Sequence, residues 1–208
     1  MHAITPGRPV RKSICEIASP EDRVSDHTGK LRLLVIGGSL GAVKLNEIIP
    51  QALAAIDESI RPQVIHQTGL KNIESAKVVY SEFNVEARVE AFIDDMASVY
   101  EWADLVICRA GAMTVFELAA AGIASILIPY PHAVDDHQTH NAHYLESTGA
   151  AIIKQQEELT TDWLVDVIND FSSNRYKLLN MSVAARKLAI PGAAKTIADA
   201  CVNVGGIV

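Results

Sequence analysis

The chain has 208 residues, 49% of them apolar and 5% aromatic, with 18 basic against 25 acidic side chains and a formal charge of −7. This composition excludes intrinsic disorder and suits one large folded domain, or one domain with a tail, since a domain holds roughly 100 to 200 residues. The acidic excess, with no run of Lys and Arg, argues against nucleic acid as a partner, because a phosphate backbone is gripped by clustered cations.

Residues 1–30 mix Pro6, Gly7, Pro9, Ser19, Pro20 and Gly29 with charged side chains. They are expected to form an irregular lead-in and not a packed element. No apolar core of a secretory signal is found in them. From Leu31 onward, over 31–208, short apolar, β-branched runs alternate with longer segments whose apolar positions recur at helical spacing. The runs predict strands over 31–36, 63–66, 88–92, 104–108, 125–128 and 151–153. The intervening segments predict helices over 42–57, 72–83, 95–102, 112–121 and 136–147, and three more follow over 161–171, 174–188 and 193–202.

Strand and helix alternating six times imply parallel strands, since each parallel connection needs a crossover. The expected fold is α/β: a Rossmann-like, doubly wound, six-stranded parallel sheet. Its strands are apolar on both sides, as a sheet covered on both faces requires. The longest apolar stretch, 118–130, is interrupted by Gly122, Ser125 and Pro129 and falls short of the roughly 18 residues of a membrane span. Cys15, Cys108 and Cys201 are odd in number and far apart, which suits reduced, packing thiols in a cytosol.

The first predicted strand runs into Gly37-Gly38-Ser39-Leu40-Gly41-Ala42 and then into a helix. Strand, glycine turn and helix N-terminus form a layout in which free amides and the positive dipole end favour an anion. A tight turn of any doubly wound fold reads the same way. The turn is neither G-x-G-x-x-G nor a P-loop with its Lys. A second such junction follows the fourth predicted strand at Arg109-Ala110-Gly111-Ala112-Met113-Thr114, and two anion-ready turns suggest a pyrophosphate. Thr114 and Glu117, three apart, share a helix face. There a carboxylate can accept from both hydroxyls of a ribose, although a solvated Glu near a helix start has the same spacing.

Asp94 and Asp95, and later Asp135 and Asp136, precede predicted helices and read as caps before they read as metal ligands. Residues 129–143 hold His132, His137, His140 and His143, four of the seven histidines. His137 and His140 stand at i, i+3, but no Glu or Cys completes a familiar zinc spacing. Gln138, beyond the carboxyl end of a strand, lies where open α/β sheets bind ligands and can hydrogen-bond a sugar hydroxyl without a special pKa.

Taken together, Arg8-Pro9-Val10-Arg11, the glycine turn at 37–42, Phe92-Ile93-Asp94-Asp95-Met96 and the stretches 103–122 and 129–142 resemble the C-terminal, donor-binding half of the bacterial lipid I N-acetylglucosaminyltransferase family. The resemblance runs in order from about residue 4 to the end. It implies one half of a GT-B fold, in which two Rossmann-like domains face a cleft, and UDP-N-acetylglucosamine as donor. By that resemblance Arg11, Gly38, Ser39, Gly41, Ile93, Ala112, Met113, Thr114, Glu117, His137 and Gln138 fall on donor-binding positions. Main-chain groups of Ile93 would read the uracil, Glu117 the ribose, the turns at Ser39 and at 112–114 the diphosphate, and Gln138 the sugar.

The resemblance implies no metal and no cofactor. It also places the catalytic base, the lipid I acceptor site and a membrane-facing apolar patch in an N-terminal domain that this sequence lacks. The chain alone is therefore expected to bind donor and transfer little, in the cytoplasm or at the inner face of the cytoplasmic membrane. Arg8, Leu40, Ala110 and Phe116 depart from the family pattern. A soluble subunit of a split two-chain glycosyltransferase, or a UDP-N-acetylglucosamine 2-epimerase-type isomerase, are the alternative readings.

Overall fold

In the computed structural model, residues 7–25, 27–38, 42–131, 133 and 136–205 are described. Six strands, β1 (Arg32–Ile36), β2 (Gln63–Gln67), β3 (Arg88–Glu90), β4 (Leu105–Cys108), β5 (Ala124–Leu127) and β6 (Ala151–Ile153), form one sheet in the order β3-β2-β1-β4-β5-β6. Every pairing is parallel. The connections carry α3 (Val43–Ala55), α4 (Ile73–Glu82), α5 (Met96–Trp102), α6 (Ala112–Ala121) and α7 (His137–Glu146). After the last strand come α8 (Thr161–Ser173), α9 (Arg175–Lys187) and α10 (Ala193–Gly205).

The register explains the two-faced core. Leu33 pairs with Leu105 and Leu34 with Val106, and successive side chains on a strand point to opposite faces. Leu34, Val106, Cys108 and Leu127 therefore pack with Tyr100, Val115 and Leu118 on one side. Leu33, Val35, Leu105 and Ile107 pack with Leu45, Ile49, Leu164 and Phe171 on the other. β1 and β4 are adjacent at the centre, yet the chain leaves β1 toward β2 and leaves β4 toward β5. Their carboxyl ends thus flank the crevice in which sheets of this topology bind ligands.

At the opposite end, charge is buried but matched. Asp104, 1% exposed, accepts from the Arg32 amide at 2.8 Å, from Arg32 Nη2 at 2.8 Å and from Arg175 Nη1 at 3.0 Å. α6 stops at Gly122, whose φ of +61° is a left-handed conformation that glycine adopts without strain. Its terminal carbonyls receive two guanidinium groups: Arg23 Nη2 donates to Ala121 O at 2.9 Å and Gly122 O at 2.6 Å, and Arg186 Nη2 to Ala121 O at 3.0 Å. Cations at a helix C-terminus also complement its dipole.

The lead-in departs from expectation. It contains α1 (Lys12–Cys15) and α2 (Pro20–Ser25), and it is packed: Ile14, Ile17 and Val24 are buried. Ile14 and Ile17, three apart, supply one apolar stripe, and Pro20 opens α2 at a first-turn position where its missing amide is not needed. β3 ends at Glu90 and not at residue 92, because the backbone there is already turning toward α5. Of the three cysteines only Cys108 is a packing residue, while Cys15 and Cys201 are exposed. Burial pushes the Cys108 thiol up to about 12. Among the described residues, no helix is long and apolar enough to cross a membrane.

Candidate functional site at the crest of the sheet

The turn after β4 delivers α6 with Gly111 at its N-cap, a residue with no side-chain oxygen to occupy the first-turn amides. The same holds for α3, whose N-cap is Ala42. By contrast Asp95, Thr160 and Asn174 cap α5, α8 and α9 through their side chains, which meets the cap expectation for Asp95. Among the described residues, no side chain caps the helices after β1 and β4, which present first-turn amides and a positive dipole end on either side of the crevice. Ser39, Leu40 and Gly41 lie outside the described residues. Gly37 donates its amide to Gln67 O at 2.9 Å, and Gly38 has a φ of +77°. A Cβ at Gly38 would meet nothing within 4 Å, so the backbone conformation and not crowding favours glycine there.

Glu117, one and a half turns into α6, is brought against two other segments. Arg11 Nη2, just ahead of α1, lies 3.2 Å from Glu117 Oε1. Tyr100 Oη, on α5, donates to Glu117 Oε2 at 3.2 Å. The Glu117 side chain is 12% exposed and that of Arg11 54%. Tyr100 is buried, and its hydroxyl is pushed well above the usual tyrosine range, first by burial and then by the adjacent Glu117 charge. It stays protonated and so remains a donor. Thr114 stands one turn before Glu117, and Met113 is exposed.

Beside α6, on the β5 side of the sheet, lies a second network. Arg109, at the end of β4, donates from Nη1 to Ile128 O at 3.2 Å and Pro129 O at 3.1 Å, donates from Nη2 to Gln156 Oε1, and stacks over the Tyr130 ring at 5.4 Å. Burial lowers its pKa. The Tyr130 amide donates to Gln138 Oε1 at 3.0 Å, and Asn141 Nδ2 donates to Ala110 O at 3.1 Å. α7 is thereby tied through Gln138 to the segment after β5 and through Asn141 to the turn before α6. His137 opens α7 and is exposed. Asp136 is the N-cap residue, but its carboxylate accepts from Thr139 Oγ1 at 2.6 Å and not from a backbone amide. Ile93, after β3, is 4% exposed, between Phe92 and Asp94, which are exposed.

Of the predicted residues, the structure brings Arg11 and Glu117 together and places 112–114 at an uncapped helix start, with His137 and Gln138 on the neighbouring α7. Among the described residues, no hydrogen bond joins Gly38 or Ile93 to these. Sequence reasoning did not single out Tyr100 or Arg109, and Asn141 stood in the histidine-rich stretch without a role. A tyrosine 17 residues from its acceptor carries no local signal. A cavity of about 810 Å³ lies at the other end of the sheet, lined by Arg61, Gln63, Arg88 and Trp102. Its charges are mixed and it stands at the amino ends of β2 and β3, away from the crevice. Among the described residues, no group of three or more His, Cys, Asp or Glu is placed to hold a metal ion.

A parallel sheet in the order 3-2-1-4-5-6 with paired helix starts at its switch point defines a Rossmann-like α/β domain of the doubly wound type. Residues 32–197 match the model of the glycosyltransferase family 28 C-terminal domain, and the chain belongs to that family. It is 54% identical over 95% of its length to the UDP-N-acetylglucosamine–N-acetylmuramyl-(pentapeptide) pyrophosphoryl-undecaprenol N-acetylglucosamine transferase of Dechloromonas aromatica, of which it covers 55%. It is 51% identical over 95% of its length to the protein of that name from Marinobacter nauticus, of which it covers 54%. The crystal structure of Acinetobacter baumannii MurG superposes with a TM-score of 0.83 at 40% identity, over 90% of this chain and 54% of that one. The fold is accordingly the Rossmann-like domain of GT-B glycosyltransferases. The chain spans about half the length of the curated relatives it matches.

Proposed function

We propose that this chain is the donor-binding half of an inverting N-acetylglucosaminyltransferase that converts lipid I to lipid II in peptidoglycan synthesis, with UDP-N-acetylglucosamine as donor. One observation carries the reading: a nearly buried carboxylate, Glu117, stands one turn behind an uncapped helix start, at the crevice between β1 and β4. The carboxylate suits a ribose diol and the helix start suits a diphosphate. On the neighbouring α7, Gln138 is oriented by the Tyr130 amide on its oxygen, and its amino group would donate to the sugar. The main chain at Ile93 would read the uracil edge. The close relationship to transferases named for this reaction supports the choice of donor.

Chemically, the bond between the sugar's anomeric carbon and the diphosphate oxygen breaks as an acceptor hydroxyl attacks from the opposite side. Negative charge then accumulates on the departing UDP. Fixed amides and the dipole of α6, aimed at the diphosphate before reaction, stabilise that charge without reorganising. The base that takes the acceptor's proton, and the lipid I site, would lie on a partner domain. This half would work in the cytoplasm at the inner face of the membrane, through that domain.

The test is calorimetric titration of the chain with UDP-N-acetylglucosamine, UDP-glucose and UDP. Three or four hydrogen bonds involving charged groups, at about 1.5 to 3 kcal/mol each less ordering costs, predict micromolar binding of the first, about −8 kcal/mol. UDP should bind more weakly, having no sugar for Gln138. Absence of binding by every uridine nucleotide removes the reading. Full-rate glycosylation of lipid I by this chain alone overturns the assignment of the base to a partner domain.

A further inference from the structure

We propose that Tyr100 is a positioning residue for nucleotide recognition, holding the Glu117 carboxylate in the one orientation that leaves an acceptor site free on each oxygen for the ribose diol. The inference rests on the reading of Glu117 given above and extends it to a residue that never touches the ligand.

A helix-borne Glu has three rotatable side-chain bonds and, left alone, spreads over several rotamers. At Glu117 two donors remove that freedom. Tyr100 Oη holds Oε2 and Arg11 Nη2 holds Oε1, each at 3.2 Å. A carboxylate offers about four lone-pair sites. These two donors use one on each oxygen and leave one on each, which is the requirement of a vicinal diol. The donors differ in kind. The Arg11 side chain is 54% exposed and can swing toward a diphosphate as ligand arrives. Tyr100 is 1% exposed, with its ring in the core beside Val115 and Leu118, and among the described residues its hydroxyl has no partner besides Glu117. Burial and the Glu117 charge together keep that hydroxyl protonated, so it donates at any physiological pH. Tyr100 also belongs to α5, which begins just beyond Ile93, so it ties the segment expected to read the base to the helix expected to read the sugar of the nucleoside.

The experiment compares UDP with 2′,3′-dideoxyuridine diphosphate as calorimetric probes on the whole chain, in wild type, Tyr100→Phe, Glu117→Ala and the double variant. Tyr100→Phe deletes only the hydroxyl and keeps the ring, and thermal unfolding checks that each variant folds. UDP affinity should fall about tenfold in Tyr100→Phe, while dideoxy-UDP affinity stays at the wild-type value. In the Glu117→Ala background the added Tyr100→Phe change should have no effect on either probe. A general loss of structure would weaken both nucleotides alike, and that result overturns the inference. Unchanged UDP affinity in Tyr100→Phe overturns it too, while leaving the ribose role of Glu117 intact if Glu117→Ala lowers the UDP to dideoxy-UDP ratio. Should Glu117→Ala leave that ratio unchanged, the ribose role fails and the Tyr100 inference falls with it.

Discussion

The backbone amide of Tyr130 donates to Oε1 of Gln138 at 3.0 Å, so this α7 side chain is oriented by the main chain of the loop beside it. The loop itself is held by Arg109 through the carbonyls of residues 128 and 129. The carboxamide then keeps its amino group and the second lone pair of Oε1 for other partners. Gln138→Ala should erase most of the advantage of UDP-N-acetylglucosamine over UDP, about 1 kcal/mol or fivefold, with little change for UDP. Gln138→Glu should do the same, since it keeps an acceptor for Tyr130 but has no donor. Equal loss for both nucleotides in calorimetry would place Gln138 outside sugar recognition.

Arg23 is the least replaceable cation of the lead-in. It is 9% exposed and donates to Ala18, Tyr100, Ala121 and Gly122 carbonyls. Arg186 independently satisfies only the Ala121 carbonyl among the four residues besides Ala18. Arg23→Ala should cost about 3 kcal/mol in urea unfolding, the order expected for stranding buried carbonyls and a helix end. Arg23→Lys should recover only part of this, because an ammonium cannot fork. A loss below about 0.5 kcal/mol in the alanine variant contradicts this account.

His66 gives the protein an acid-sensitive core. Its Nδ1 pairs with Tyr80 Oη at 2.9 Å, its Nε2 has no partner among the described residues, and burial lowers its pKa to about 3 from 6.5. The unfolded chain therefore binds a proton that the folded chain refuses between about pH 6.5 and 3. Stability is constant above that window on this account and declines as pH falls through it, by at most about 1.4 kcal/mol per pH unit. The double variant His66→Phe, Tyr80→Phe removes both polar groups and should flatten this limb. Parallel pH profiles of unfolding free energy in the two proteins refute it.

Gly122 is required twice over. At its φ of +61° an L side chain is strained, and an added Cβ would lie 2.8 Å from Arg186 Nε and 2.9 Å from Pro20 Cγ. Gly122→Ala should destabilise by about 2 kcal/mol through strain and displacement of Arg186. Thermal unfolding reads the change, and a neutral result means that the turn can relax. Gly149, also at positive φ but with open space around a Cβ, provides the control: its alanine variant should lose only the backbone contribution, about 1 kcal/mol.

Most of the architecture was legible because buried parallel strands and their crossover helices write different periods into the chain. The six strand positions follow from runs such as Leu33 to Ile36, and the stop of α6 follows from Gly122. What escaped depends on three-dimensional neighbours. Ile14 and Ile17 are too few apolar points to outweigh Pro and Gly signals, so the packing of α1 was not visible. Asp95 was legible as a cap, since the amide that donates to it, that of Ser98, lies three residues on. Tyr100 and Arg109 were not, because their partners are set by strand order. The resemblance singled out Arg11 and Glu117, but only the fold places them 3.2 Å apart.

The ion cluster around Asp104 and the guanidinium braces on α6 sit at the foot of the sheet, whereas the groups proposed to meet ligand stand at its top. On the proposed reading, durability and selectivity are therefore written in separate districts of the molecule. Swapping top-side loops to change the accepted nucleotide or hexose should leave the anchorage at the base undisturbed, which makes this domain a natural starting scaffold for altered-donor engineering.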